Sequence, residues 1–510
     1  MADARVVLDP ANTLAAVDER LFGSFIEHMG RAIYGGIYEP GHPTSDAAGW
    51  RHDVIDLVRE LGVTTVRYPG GNFVSGYDWE DGVGPRDQRP TRLDQAWRSI
   101  EPNVVGTDDF MDWARLAGVT PMLAVNLGTR GAEAARNLVA YCNGRAGTPH
   151  ADLRIANGHP EPHDVRLWCL GNEMDGPWQI GHKTAAEYGA LATDAGRAMR
   201  EVDPTIELVV CGSSGSQMPT FGAWEETVLD LAWDVADYVS VHAYYDPDSF
   251  SSVDAYLACS LDLGRTIEAV ASIADSVGRR RGSSKRIDLS VDEWNVWRLG
   301  QHEATERERT SFRAAPPLAE DRQDLADALA VGCLLITLLR HADRVRIACL
   351  AQLVNVIPVI RTVDGGPAWR QTTFYPFADV ARLGRGTVLS ARVDSPTYGA
   401  DGEVDVDAVE LVAVHDPLAG ALTIFAVNRT ARTVSLDAVM RDLPGLSVMG
   451  HRVLTDADHN AANTAEQPNR VRPVAGSGAR LDRETLHVML PPRSWNVVRL
   501  GGKAAIAAGD

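Results

Sequence analysis

The stretch Val165-Arg-Leu-Trp-Cys-Leu-Gly-Asn-Glu173 decides the fold. It runs through a nearly continuous apolar segment and turns polar only at Gly171, Asn172 and Glu173. Strands of a parallel sheet read this way, because helices cover both faces and leave no solvent side. The same texture recurs at residues 21–26, 63–68, 121–126, 206–211, 238–244, 287–291 and 345–350. Counting 165–170, there are eight such runs. Helix-like amphipathic segments lie between them, among them residues 51–61, 108–116, 184–201 and 321–341. Eight buried strands alternating with helices predict a TIM (β/α)8 barrel over residues 19–384. The alternative, an open doubly wound sheet, is disfavoured because no G-x-G-x-x-G follows the first strand.

Working outward, two polar stretches interrupt the barrel pattern at residues 82–105 and 301–320. Long loops of this kind are usually functional or mobile. After residue 384 the helical period disappears. Short alternating runs at 387–393, 408–415, 422–427, 433–436, 448–454, 485–490 and 495–500 predict a C-terminal antiparallel β-sandwich over 385–502. Residues 1–18 are expected to lend it a strand at 5–8, and residues 503–510 read as a disordered tail.

The chain has 510 residues and a formal net charge of −20. Such a surface repels phosphate backbones, which argues against nucleic acid as a partner. The basic run at 279–286 reads as a solvated helix end or loop. No signal-like or membrane-length apolar run is present. The six cysteines are scattered and form no C-x-x-C pair, which suits reduced, buried thiols in a cytoplasmic enzyme. Asn428-Arg-Thr430 matches a glycosylation acceptor by chance on that reading.

Barrel active sites form at the carboxyl ends of the strands. The first run leads to Glu27-His28, the second through Arg67 to Gly70-Gly71-Asn72, and the third to Asn126. The fourth ends at Asn172-Glu173, the sixth at His242-Ala-Tyr244, the seventh at Asp292-Glu-Trp294, and the eighth near Gln352. Polar groups therefore collect where one pocket should be. Glycoside hydrolysis needs two carboxyl groups flanking the scissile bond. Glu173 and Glu293 end the fourth and seventh strands and fit that need, as proton donor and nucleophile, with an expected spacing of roughly 5–5.5 Å if configuration is retained. Asn172 can bond a sugar hydroxyl beside the reacting carbon. Arg67 needs a partner in the barrel mouth, and Glu293 provides one. Tyr244 can also bond the nucleophile. His242 can bond it or the sugar, or be a satisfied strand-end histidine. Trp97, Trp178, Trp294 and Trp297 are candidates for stacking on sugar faces, and core packing is their plainer reading.

Four longer segments carry a resemblance. They are Phe22-Gly-Ser-Phe-Ile-Glu-His-Met-Gly-Arg-Ala-Ile-Tyr-Gly-Gly-Ile-Tyr-Glu-Pro40, Arg67-Tyr-Pro-Gly-Gly-Asn-Phe-Val-Ser-Gly-Tyr-Asp-Trp79, Gly171-Asn-Glu-Met-Asp-Gly-Pro-Trp178 and Asp292-Glu-Trp-Asn-Val-Trp297. In order and spacing they resemble the intracellular α-L-arabinofuranosidases of glycoside hydrolase family 51. The resemblance extends to Leu490-Pro-Pro-Arg-Ser-Trp495. It implies a barrel with a jelly-roll-like sandwich, no cofactor and no metal, and retaining release of terminal arabinofuranosyl groups from arabinoxylan- or arabinan-derived oligosaccharides. It implies Glu173 as acid/base and Glu293 as nucleophile. Sugar contacts are implied at Glu27, Asn72, Asn172 and Gln352, with Arg67, His242 and Tyr244 supporting the nucleophile and the sugar. Trp97 and Trp178 remain aromatic loop candidates. Family members are commonly hexamers.

Three other readings stand beside this one. A relative cleaving glucan or xylan internally would use the same glutamate pair. A lyase or aldolase would want a Schiff-base lysine or metal ligands at strand ends, and no strand end carries Lys. A non-catalytic sugar binder would be expected to lack one glutamate. Gly70-Gly71 and Gly212-Ser-Ser-Gly215 lack a Walker lysine and read as backbone turns.

Overall fold

The computed structural model describes residues 3–308 and 311–502. Eight parallel strands close into a barrel in chain order. They are Gly23–Phe25, Thr65–Tyr68, Thr120–Val125, Leu167–Leu170, Glu207–Val210, Tyr238–Tyr245, Asp288–Val296 and Val345–Leu350. Each overlaps one of the eight apolar runs. The barrel is filled rather than hollow: Met122, Ala124, Leu167, Cys169, Val209, Ile347 and Cys349 pack in one buried cluster.

Helices surround the strands, and local chemistry sets their ends. Ala185–Val202 starts at a capping box in which Thr184 and Glu187 satisfy each other's backbone N–H groups. His52–Leu61 ends at Gly62 in the left-handed region, with φ of 82°. Ser260–Arg280 ends inside the basic run, where Arg280 pairs with Glu226 at 2.6 Å and Lys285 Nζ donates to the Trp233 carbonyl at 2.8 Å. Leu325–Arg340 is buried all round, which no surface helix is. It packs on both the barrel and the second domain. A Cβ at Gly332 would sit 2.8 Å from Trp495 Cε3, so the helix approaches the sheet closely only because that position is bare. Trp495 in turn donates its indole N–H to buried Asp379 at 3.0 Å.

The second domain is two packed sheets. The larger runs Thr13–Ala16, Thr387–Leu389, Val409–Asp416, Ala421–Asn428, Ser494–Gly501, Ser447–Leu454 and Val474–Ala475. The smaller runs Val393–Asp394, Ala4–Leu8, Val434–Met440, Thr485–Leu490 and Ala479–Asp482. Leu411, Leu422, Ile424 and Val498 of the first face Val6, Leu8, Leu436 and Val488 of the second in one core. Three details differ from the sequence reading. Ala4–Leu8 lies parallel to Val434–Met440, so this domain is not wholly antiparallel. The run at 387–393 splits between the two sheets, because residues 390–392 turn the corner between them. Thr13–Ala16 adds an edge strand that is too short and too exposed to show an alternating pattern.

The two interruptions of the barrel meet each other. Arg92–Asp94 and Ser99–Glu101 form a hairpin, and Arg313–Ala314 adds to it in parallel. Leu299–Glu308 is a helix. All six cysteines are free and buried. Among the described residues no helix is long and apolar enough to cross a membrane. The expected tail at 503–510 lies outside the described residues.

Candidate active site

Strand geometry explains which side chains enter the barrel mouth. On the second strand Arg67 points inward and is fully buried. On the sixth, His242 and Tyr244 are two residues apart and so share the inner face. The seventh strand departs from simple alternation. Its register against the sixth advances from Ser240–Ser290 to His242–Glu293, and against the eighth from Val291–Ala348 to Trp294–Leu350. One extra residue is thus accommodated on the seventh strand at residues 292–293. Such a bulge re-aims side chains. Here it lets two consecutive carboxylates, Asp292 and Glu293, face one interior, where both are buried.

At the end of the fourth strand the chain turns sharply. Gly171 has φ of 91° and Glu173 has φ of 43°, a left-handed conformation uncommon for a non-glycine residue. The turn places Asn172 and Glu173 in the same mouth.

The carboxylates have different company. Glu293 Oε1 accepts from Arg67 Nη1 at 2.9 Å and Oε2 accepts from the Tyr244 hydroxyl at 2.8 Å. Arg67 Nη2 donates to Asn172 Oδ1 at 2.7 Å. Burial opposes the charge on Arg67, but Cys169, Asp292 and Glu293 around it raise its pKa well above the ordinary value. Burial and then the Glu293 charge push the Tyr244 phenol up, so it stays a donor. Glu173 Oε1 lies 2.9 Å from His242 Nδ1, and its Oε2 accepts from the Trp178 indole at 2.8 Å. His242 Nε2 lies 3.1 Å from Asp292 Oδ1. Burial works against a charge on His242, but Glu293, Asp292 and Glu173 outweigh it and hold its pKa well above the ordinary value. One oxygen of Glu173, one of Glu293 and a His242 nitrogen all lie within 4.8 Å of one another.

A second group closes the floor. Glu27 Oε1 accepts from the Phe73 backbone at 3.0 Å and from the Trp97 indole at 2.6 Å, and Oε2 accepts from Gln352 Nε2 at 3.0 Å. Gln352 Oε1 accepts from the Glu27 backbone in return, at 3.2 Å. Burial lifts the Glu27 carboxyl to about 8. Gly71, with φ of 63°, is required beside it, since a Cβ there would lie 2.2 Å from Glu27 Oε2. Asn72 follows and accepts from Asn172 Nδ2 at 3.5 Å.

The structure therefore gathers Glu27, Arg67, Asn72, Asn172, Glu173, His242, Tyr244, Glu293 and Gln352. Trp97 reaches this group through its indole N–H, and Trp178 does the same while half its surface stays exposed, at 51%. Trp297 packs edge-on against Tyr244 at 5.3 Å and tilts over His302 at 5.3 Å, and His302 lies 6.1 Å from Trp97, so the two interruptions meet above the pocket. Trp294 is fully buried in the core, as its plainer reading had it. Asn126 turns away: its amide is taken up by Tyr77, Gly128 and Thr129. Both ring nitrogens of His242 are satisfied, by Glu173 and Asp292, as in the satisfied strand-end histidine among the roles open to it in the sequence, and Nδ1 also lies 3.7 Å from the Glu293 carboxylate. The sequence reading missed Asp292, whose inward aim depends on the bulge. The only signal was that two acids stand side by side.

Among the described residues Glu173, His242 and Glu293 lie close enough to share one ion, but their side chains already engage Trp178, Asp292, Arg67 and Tyr244. Asp108, His159 and His163 also cluster, but Arg115 donates to His163 Nδ1 at 2.9 Å, which leaves Nε2 as the N–H toward Asp108 at 2.9 Å. The Gly212–Gly215 turn offers its N–H groups to Ser240, Glu225 and Asp175 rather than to a phosphate.

The chain is similar in sequence and fold to known proteins. The α-L-arabinofuranosidase 1 domain model matches residues 57–258, and the α-L-arabinofuranosidase C-terminal domain model matches 292–494. The chain is 52% identical to an intracellular exo-α-(1→5)-L-arabinofuranosidase of Halalkalibacterium halodurans, covering 98% of this chain and 99% of that one. It is 48% identical to an exo-α-(1→6)-L-arabinofuranosidase of Bifidobacterium longum, covering 98% of each. Its fold superposes on a solved family 51 α-L-arabinofuranosidase of Bifidobacterium longum with a TM-score of 0.94 at 46% identity, over 98% of this chain and 99% of that one.

Proposed function

This chain belongs to glycoside hydrolase family 51, the α-L-arabinofuranosidases, and from that premise we propose that it releases terminal α-L-arabinofuranosyl groups from arabinan- or arabinoxylan-derived oligosaccharides with retention of configuration. The observation that carries the mechanism is the close approach of two buried carboxylates with unequal partners. Retaining glycosidases hold theirs ~5–5.5 Å apart, and inverting ones leave room for a water at ~6.5–9.5 Å. Glu173 and Glu293 with oxygens within 4.8 Å fit the former.

Glu293, oriented by Arg67 and Tyr244, attacks the anomeric carbon as the carboxylate. Glu173 gives a proton to the leaving oxygen. A covalent arabinosyl-enzyme forms. Glu173 then takes a proton from water, which attacks the same carbon and restores the starting configuration. Asn172, anchored by Arg67, and Asn72 are placed to bond the sugar hydroxyls, and so are Glu27 and Gln352, whose mutual contacts fix their direction. Trp97 and Trp178 are placed to line the sugar path. The names of the relatives at 52% identity support an intracellular setting, and the linkages named among the relatives, (1→5) and (1→6), fit release of terminal arabinofuranosyl groups from more than one linkage.

Proton NMR during hydrolysis of nitrophenyl α-L-arabinofuranoside tests this. The α-anomer should accumulate first and then mutarotate. A β-anomer at early times, or turnover of linear β-glucan in place of the arabinoside, contradicts the proposal.

A further inference from the structure

Asp292 has no part in the scheme above, yet it is buried to 1% exposure directly against that scheme's machinery. Its Oδ1 lies 3.1 Å from His242 Nε2, and its Oδ2 lies 3.7 Å from Cys169 Sγ and 3.9 Å from Arg67 Nε. An ionised carboxylate only accepts. With the Asp292 carboxylate accepting, His242 Nε2 carries its hydrogen, and Nδ1 is left as the atom that gains or loses a proton. Nδ1 faces Glu173 Oε1 at 2.9 Å.

We infer that Asp292 is a positioning residue: by fixing the His242 Nε2–H it makes Nδ1 and Glu173 joint holders of the proton that goes to the leaving oxygen. The inference rests on Glu173 being the acid/base. The proton balance is simple. Before glycosyl transfer one proton lies between His242 Nδ1 and the Glu173 carboxyl, and Glu293 is ionised. As Glu293 forms its bond to the sugar it loses the charge that held that proton nearby. The proton passes through Glu173 to the departing oxygen. In the second half-reaction the attacking water returns one to Glu173 and so to the pair.

The groups facing His242 are consistent with this storage role. Asp292 and Glu293 come from the seventh strand, Glu173 from the turn after the fourth, Arg67 from the second and Tyr244 from its own strand. Cys169 and Cys211 lie below, and burial pushes both thiols up so that they stay neutral. Three carboxylates against one guanidinium give the ring a net negative surrounding. Groups coupled this closely titrate in macroscopic steps that belong to the pair and not to either residue.

The test is the pH dependence of kcat/KM on an arabino-oligosaccharide for Asp292→Asn. Removing this charge makes the pair give up its proton more readily. The alkaline limb should move to lower pH by roughly one unit, and kcat at its optimum should fall ~10- to 100-fold with KM near the starting value. An alkaline limb that superposes on that of the unaltered enzyme overturns the inference, however large the loss of kcat, because a merely structural aspartate moves stability and not the limb. Should the variant fail to fold, histidine 15N NMR on the unaltered enzyme decides. His242 Nε2 should stay protonated throughout while Nδ1 titrates together with the alkaline limb. An unprotonated Nε2, or an Nδ1 that titrates elsewhere, overturns it. Failure of the Glu173 assignment shows separately, as equal losses for Glu173→Ala on nitrophenyl and unactivated arabinosides.

Discussion

Glu293 and Glu173 look into one pocket from strands three positions apart around the barrel, and the chain holds them by different means. Glu293 sits within a strand, on a bulge, between a guanidinium and a phenol that both remain donors at any working pH. Glu173 sits on a turn just past its strand, in a left-handed conformation, between an imidazole that can change its protonation and an indole that is half exposed. A permanent cation on rigid backbone suits a group that must stay ionised and aimed. Partners that titrate or move suit a group that must pick up and release a proton. The same side-chain chemistry takes two roles because the surroundings differ.

The largest effect should come from the fixed partner. Glu293→Ala should lower kcat by ~10⁵-fold or more, since it removes the group that bonds the anomeric carbon. Steady-state kinetics on a nitrophenyl arabinoside measure it, and a loss under tenfold would erase the contrast. Glu173→Ala should lose ~10²- to 10⁴-fold on unactivated arabinosides and far less on the nitrophenyl substrate, whose leaving group needs no proton. Arg67→Lys keeps the charge but cannot bond Glu293 and Asn172 together, so kcat/KM should drop ~10²-fold. If Lys proves equivalent, the fork geometry is irrelevant. Tyr244→Phe removes one charge-assisted hydrogen bond of ~1.5–3 kcal/mol, or about 10- to 100-fold in kcat.

The smallest effect concerns stability and pH. Glu27 ionises near 8 in the folded chain against an ordinary value of 4.5. A raised folded value means that its contribution is fully present below about 4.5 and is lost as pH rises toward 8. Glu27→Gln should flatten the fall in Tm across that window, by calorimetry. An unchanged slope would show that other groups set it.

The barrel was legible because each strand is buried on both faces, so a continuous apolar run leaves little ambiguity. The sandwich was legible in its longer strands, such as Thr485–Leu490, and not in Val474–Ala475, which is two residues of exposed edge. The pairing of Arg313–Ala314 with Ser99–Glu101 links residues more than two hundred apart and leaves no local pattern. Within the site, polar residues after apolar runs were visible one by one. Their partners were visible only where charge demanded one, as with Arg67. The bulge at 292–293 was not visible, because alternation along a strand would send those neighbours to opposite faces. Asp292, the link between His242 and the seventh strand, is therefore not legible as inward-facing, although a histidine satisfied at both nitrogens is among the readings the sequence allows for His242.

The assignment of Glu293 as nucleophile is tested most directly by adding azide to Glu293→Ala with a nitrophenyl α-L-arabinofuranoside and determining the product by NMR. Azide entering the space left by the carboxylate should restore turnover and give the inverted β-L-arabinofuranosyl azide. A product of retained α-configuration, or no azide adduct while water still turns the substrate over, would contradict the account.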